Sequence, residues 1–161
     1  MKGVLAVLLC LLAQAASALQ LGAPAPEFQL KGVADNPVSL SALHGQIVYV
    51  DFWASWCGPC RRSLPWLDTM LQRYGSQGFT VVAINVDQRR SDADRFLARM
   101  PIKLPLAFDA EGSTAKSFDV KAMPSSFVVG RDGTLRAIHA GYRDDEAGMR
   151  ERELQKILTE R

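Results

Sequence analysis

Metal ligands are scarce in this sequence. Its 161 residues hold three cysteines and two histidines, and neither histidine lies beside a cysteine pair. A four-ligand zinc or copper(I) site is left incomplete. A metal-binding module built on half a site is the weaker alternative, and no metal or cofactor is expected. Charge of one sign is missing too: 19 basic and 17 acidic residues are dispersed without a long run of either, for a formal net charge of +2. No basic stripe is visible, so nucleic acid is not an expected partner. Long apolar runs are also lacking, since the stretch over residues 4–12 falls short of the ~20 residues that span a bilayer. What is there is ordinary for a globular chain, with 48% hydrophobic and 22% charged residues. At this length one domain can bury about two-thirds of its unfolded surface.

The amino terminus reads as an address. Lys2 supplies the positive end, residues 4–12 the apolar centre, and Ala16-Ser17-Ala18 an A-x-A cleavage site. The expected division is a signal peptide over residues 1–18 and a single domain over 19–161, with export to the periplasm. An uncleaved anchor is the alternative. Leu9 precedes Cys10 where a lipoprotein signal has a small residue, so Cys10 is expected to leave with the signal. Loss of Lys2 takes the 19 basic residues to 18 against 17 acidic, a net of +1.

The mature chain then keeps two cysteines, Cys57 and Cys60, separated by Gly58 and Pro59. Structural disulfides in secreted domains tend to close long loops, where they remove more unfolded-state entropy. A loop of two residues gains little of that, so the pair is expected to be redox-active. The apolar, β-branched and aromatic run over residues 47–53 reads as a buried strand. A break at Gly58-Pro59 and a helical pattern follow. With Cys57 at the helix start, backbone N–H groups and the positive end of the dipole face its sulfur and favour thiolate. The i, i+3 spacing brings the second sulfur within reach of the first. Pro59 has no N–H to satisfy and suits the first turn.

Asp51-Phe-Trp-Ala-Ser-Trp-Cys-Gly-Pro-Cys60 resembles the active-site segment of thioredoxin. The surrounding chain, from Leu21 to the carboxyl terminus, is similar to the TlpA-like branch of ResA and DsbE type. The resemblance implies an α/β, thioredoxin-like fold, a central mixed sheet flanked by helices, with an N-terminal β-hairpin extension and a central insertion. It also implies an exported thiol–disulfide oxidoreductase, with Cys57 as nucleophile and Cys60 as resolving thiol. Trp56, Gly58, Pro59, Met123 and Pro124 would support the site and bind substrate.

Asp51 is the one polar residue in the strand over 47–53. A buried carboxylate must be paired or have its pKa raised. The bland reading is a strand-end aspartate that meets solvent or a lysine. The functional reading is a proton acceptor for Cys60, and Asp51 falls where thioredoxin has that group. TlpA-like proteins often carry a neutral residue here, and Ser63 stands where their helices usually have a glutamate.

In chain order, the prolines of Gly22-Ala-Pro-Ala-Pro26 forbid helix, and residues 27–30 and 38–40 read as short strands around a polar turn. His44 sits in a turn ended by Gly45 and is read as exposed. The helix after Cys60 places Leu64, Leu67, Met70, Leu71 and Tyr74 on one face, with Pro65 expected to interrupt and kink it. Residues 79–86 read as a central parallel strand. Asp87-Gln88 follows at its carboxyl end, where ligands of open α/β sheets gather. The resemblance would put Gln88 in place of a glutamate that tunes the cysteines, with Asp87 one residue off. Ser91 is the expected N-cap of a helix reaching about Met100. A strand over 104–108 and a helix over 113–118 complete the insertion. Pro124 precedes a strand over 126–129, and the family position implies a cis bond at Met123-Pro124. Arg131-Asp-Gly133 turns into a strand over 135–140 that holds His139, read as satisfied or at an edge. A helix over 144–158 closes the chain.

Gly-Pro between the cysteines resembles reducing thioredoxins, so a reductant is expected. The partners implied are disulfide-containing exported proteins, such as apocytochrome c or a copper-handling protein, and a membrane-embedded electron donor. The chain is expected to act as a monomer. A dithiol oxidase of secreted proteins is the alternative, and a related peroxidase would use a different cysteine motif.

Overall fold

The computed structural model describes residues 19–160. The signal reading of residues 1–18, with Lys2 and Cys10, lies outside them. A seven-stranded mixed sheet organises the domain. In chain order the strands are β1 (Gln29–Gly32), β2 (Pro37–Ser39), β3 (Ile47–Trp53), β4 (Phe79–Asn85), β5 (Leu106–Phe108), β6 (Ser125–Val129) and β7 (Leu135–Ala140). The helices are α1 (Cys60–Tyr74), α2 (Arg90–Leu97), α3 (Ser113–Ser117) and α4 (Ala147–Thr159). The spatial order is β2-β1-β5-β4-β3-β6-β7.

β3 lies between β4 on its parallel side and β6 on its antiparallel side. All seven of its residues are buried, as an apolar run without polar alternation requires. Its side chains alternate between two cores. Ile47, Tyr49 and Trp53 join a cluster with both cysteines, Leu64 and Leu67 of α1, and Leu154 and Ile157 of α4. Val48, Val50 and Phe52 join Phe28, Leu40, Phe118 and Phe127 on the other face. The same alternation assigns Asp51 to the cysteine face.

The amino-terminal hairpin joins this sheet through β1, which pairs antiparallel with β5. Its strands begin and end a residue or two from the expected bounds, because Gly32 closes against Val38 and Asn36 rather than ending at Leu30. The β6–β7 turn needs Gly133 at φ 80°, a left-handed value that favours glycine.

Three expectations are corrected. Pro65 does not interrupt α1, which runs on to Tyr74; the proline falls early, and Thr69 donates to its carbonyl at 3.0 Å. Ser91 is not a cap, since α2 already starts at Arg90 behind an extended Arg89. The Asp92 carboxylate is taken by Arg89 and Arg95, and α2 ends at Leu97. Leu104 lies outside β5, which starts at Leu106.

Candidate active site

The site is built where β3 gives way to α1. Residues 54–59 make the connection, with the Cys57 N–H donating to the Ala54 carbonyl at 3.1 Å. Cys57 lies just ahead of α1, and Cys60 is its first residue. The Cys60 N–H donates to the Cys57 sulfur at 3.2 Å. The helix amino terminus therefore faces Cys57, as expected from the break at Gly58-Pro59. The two sulfurs are joined, 2.06 Å apart. Pro59 precedes the helix with helical dihedrals, φ −61° and ψ −26°.

Burial separates the two cysteines only slightly, with Cys60 fully buried and Cys57 at 3% exposure. Trp56 beside them is 69% exposed, a large aromatic standing in solvent at the mouth of the site. Met123 packs against the cluster that contains both cysteines, and the Met123–Pro124 bond is cis. The Pro124 carbonyl is held by the Gly141 N–H at 2.7 Å.

Asp51 is fully buried and meets neither solvent nor lysine, so the strand-end reading does not hold. Its Oδ1 accepts from Ser126 Oγ at 2.6 Å, across the β3–β6 register. Its Oδ2 has no hydrogen-bond partner among the described residues. Burial pushes the carboxyl pKa up to about 7, against the Ser126 hydrogen bond and the Arg150 charge, which both pull it down. The buried Arg150 is held by the Gly141 carbonyl at 2.9 Å and Glu146 at 3.0 Å. Tyr49, on the same face, bonds to His139 Nδ1 at 3.3 Å, and His139 Nε2 meets Glu153 at 2.7 Å. His139 is thus satisfied, as expected, with its pKa lowered first by burial and then by Arg150.

A second buried carboxylate stands at the carboxyl end of β4. Asp87 accepts from the Ser55 N–H at 2.9 Å, the Ser55 hydroxyl at 3.0 Å and the Asn85 amide at 2.8 Å. Its own N–H donates to Asn85 Oδ1 at 3.0 Å. Gln88 is exposed, so the residue turned toward the cysteine loop is Asp87. Ser55, Asn85, Ser126 and Arg150 were not readable as site residues. Asn85 two residues before Asp87 is an Asx-type local signal, while the others depend on distant pairing.

A family model for Redoxin matches residues 20–158. The chain belongs to the Redoxin family. Within that family it is similar to thiol-disulfide oxidoreductase ResA of Geobacillus kaustophilus, 28% identical over 125 residues covering 78% of this chain and 72% of that one. It is also similar to ResA of Bacillus subtilis, 26% identical over 147 residues covering 86% and 82%. A crystal structure from Chlorobium tepidum assigned as thiol:disulfide interchange protein DsbE is 42% identical, covers 88% of this chain and 99% of its own, and superposes with a TM-score of 0.85. The fold is thioredoxin-like. This Redoxin-family chain is a thiol–disulfide oxidoreductase with its Cys-x-x-Cys pair at bonding distance. Among the described residues no helix is long and apolar enough to cross a membrane.

Proposed function

We propose that the protein is exported and works as a reductant of disulfides in extracytoplasmic proteins. The observation that carries the reading is the set of unlike environments gathered around one Cys-x-x-Cys pair. Exposed Trp56 lies outermost, Cys57 receives an N–H at the helix end, and buried Asp51 lies on the cysteine face beneath.

In the reduced protein, the Cys57 thiolate attacks one sulfur of a substrate disulfide. A mixed disulfide forms, and the other substrate sulfur leaves as thiolate and takes a proton. Cys60 gives its proton to Asp51 and attacks the Cys57 sulfur. The Cys57–Cys60 bond forms as the Cys57–substrate bond breaks. The second substrate sulfur leaves as thiolate and takes up a proton, while Asp51 gives its own back to solvent. The substrate has gained two electrons and two protons, and the pair is oxidised. A dithiol in a membrane-embedded donor returns the two electrons. Trp56, Gly58, Pro59, Met123 and Pro124 make the surface against which substrate docks.

The energies required are modest. Bringing the Cys57 thiol from about 8.5 to about 7 takes roughly 2 kcal/mol of thiolate stabilisation, in the range of a helix end plus a hydrogen bond. A carboxyl that titrates at about 7 can accept a proton at neutral pH and return it. Apocytochrome c and copper-handling proteins fit as substrates, and no cofactor is needed for the exchange.

Two measurements test the reading. Equilibration of the pair against glutathione or dithiothreitol should give a potential near that of thioredoxin, about −270 mV, whereas a value near about −120 mV would make the protein an oxidant. Cys60→Ala should accumulate a mixed disulfide through Cys57 on non-reducing gels. Absence of any adduct with disulfide substrates would count against the exchange order.

A further inference from the structure

One flank of the disulfide carries a surplus of unpaired positive charge. A cleft of about 190 Å³ opens beside the cysteine loop, lined by Ser55, Arg61, Asp92, Arg95, Phe96 and Arg99. Arg61 follows Cys60 directly on α1, and its guanidinium lies 4.9 Å over the Phe96 ring. That cation–π contact holds the guanidinium at the cleft. Among the described residues neither Arg61 nor Arg99 has a carboxylate partner. Arg89 and Arg95 share the carboxylate of Asp92, whose side chain is 20% exposed against 76% and 69% for theirs. The shared acceptor is therefore more buried than its two donors, which leaves one carboxylate against two exposed guanidinium groups. Asp87, which meets the cleft through Ser55, is buried and filled by Ser55 and Asn85.

This surplus is local. The whole chain has a formal net charge of only +2, and on the other flank Arg62 is paired with Asp144 at 3.3 Å. The chain segment at the cleft leads straight into Trp56, the exposed aromatic next to Cys57. Aromatic and arginine side chains together make the strongest anchors of protein interfaces.

We infer that this cleft is a selectivity surface for disulfide-bearing protein substrates with acidic residues flanking the cystine. Their carboxylates accept bidentate hydrogen bonds from Arg61 and Arg99 while Trp56 packs beside the disulfide. The inference rests on the reducing role proposed above and adds the class of substrate. Charge complementarity of this kind acts mainly on encounter rate and on rejection of wrong partners.

The experiment uses three synthetic peptides with the same intramolecular disulfide, flanked by Asp and Glu, by Ser and Gly, or by Lys and Arg. Reduced protein is mixed with each, and its oxidation is followed in single turnover. At low ionic strength the acidic peptide should react about tenfold faster than the basic one, with the ratio shrinking in about 0.5 M salt. In the Arg61→Glu/Arg99→Glu double variant the ratio should fall to one or invert. Lys31→Glu, on the remote hairpin, should leave the ratio as it was. Equal rates for acidic and basic peptides, with the neutral peptide reduced normally, would overturn the surface while keeping the reducing role. Failure to reduce even the neutral peptide would overturn both. Equal peptide rates with sedimentation on phosphatidylglycerol vesicles would assign the cleft to lipid, and the proposal would fall.

Discussion

Two buried aspartates flank the active-site loop, and they are handled in opposite ways. Asp51 on β3 has one short hydrogen bond, from Ser126, and an oxygen left without a partner. Asp87 after β4 receives three, from two groups of Ser55 and from Asn85. Removal from water is costly for any carboxylate, and what decides its behaviour is whether donors replace the lost hydration. Asp51 lacks enough of them, so burial lifts its pKa to about 7 and it can exchange a proton near neutrality. Asp87 is filled, and its hydrogen bonds tie β4 to the loop that carries Cys57. Under the proposed function, the same residue type would serve as chemistry in one place and as scaffold in the other.

The largest break in that contrast should come from Asp51→Asn. The native carboxyl titrates near 7 and the unfolded one near 3.8, so the native state holds the extra proton between those values. Stability therefore falls as pH rises through that window. Asparagine removes the penalty, and the variant should be more stable than the parent at pH 8 by a few kcal/mol. The gain should shrink as pH falls toward 4. Release of substrate from the mixed disulfide should meanwhile slow by about 100-fold at neutral pH, the ordinary size of a lost general base. Stopped-flow exchange and urea melts at pH 5 and 8 read both effects. A variant less stable than the parent at pH 8 would mean that Asp51 is ionised and well paired, and the contrast would collapse.

Asp87→Ala should do the reverse. Three donors lose their acceptor, and the protein should lose about 2–3 kcal/mol. The loop over residues 54–59 is no longer tied to β4, so the first attack by Cys57 should slow by about tenfold through misplacement alone. Urea melts and single-turnover rates check this. A loss confined to the second, resolving step would give Asp87 a share in proton transfer and erase its distinction from Asp51.

How much of this was legible follows from where each pairing is decided. β3 was readable to the residue, since seven consecutive buried positions leave no choice of register. The hairpin strands were displaced by a residue or two because short, half-polar strands take their register from partners; β1 pairs with β5, far along the chain. The placement of the cysteine pair at the start of α1 and of Asp51 on β3 follows from one local segment. The partners of the two aspartates do not. Ser126 is 75 residues from Asp51 and Ser55 is 32 from Asp87, and those meetings exist only once β6 and β4 have settled against β3. Ser91 misled for a related reason. Cap propensity is a local preference, and a helix already started at Arg90 overrode it.

The smallest effect and the finest test of the contrast belong to Ser126→Ala. The hydroxyl donates to Asp51 Oδ1 at 2.6 Å and pulls the carboxyl pKa down against burial. Without it the pKa should rise above about 7, and the exchange rate should reach its plateau at higher pH. The loss of stability should itself depend on pH. Above the carboxyl pKa the hydroxyl serves a charged acceptor, and its removal should cost about 1.5–2 kcal/mol. Near pH 5 it serves a protonated one, and the cost should drop to about 0.5–1 kcal/mol. In the Asp51→Asn background the pH dependence should vanish, since no charge remains to be served. A cost that stays constant from pH 5 to pH 8 would show that Asp51 never changes charge in this range. Proton transfer to it would then be excluded, and both aspartates would be scaffold.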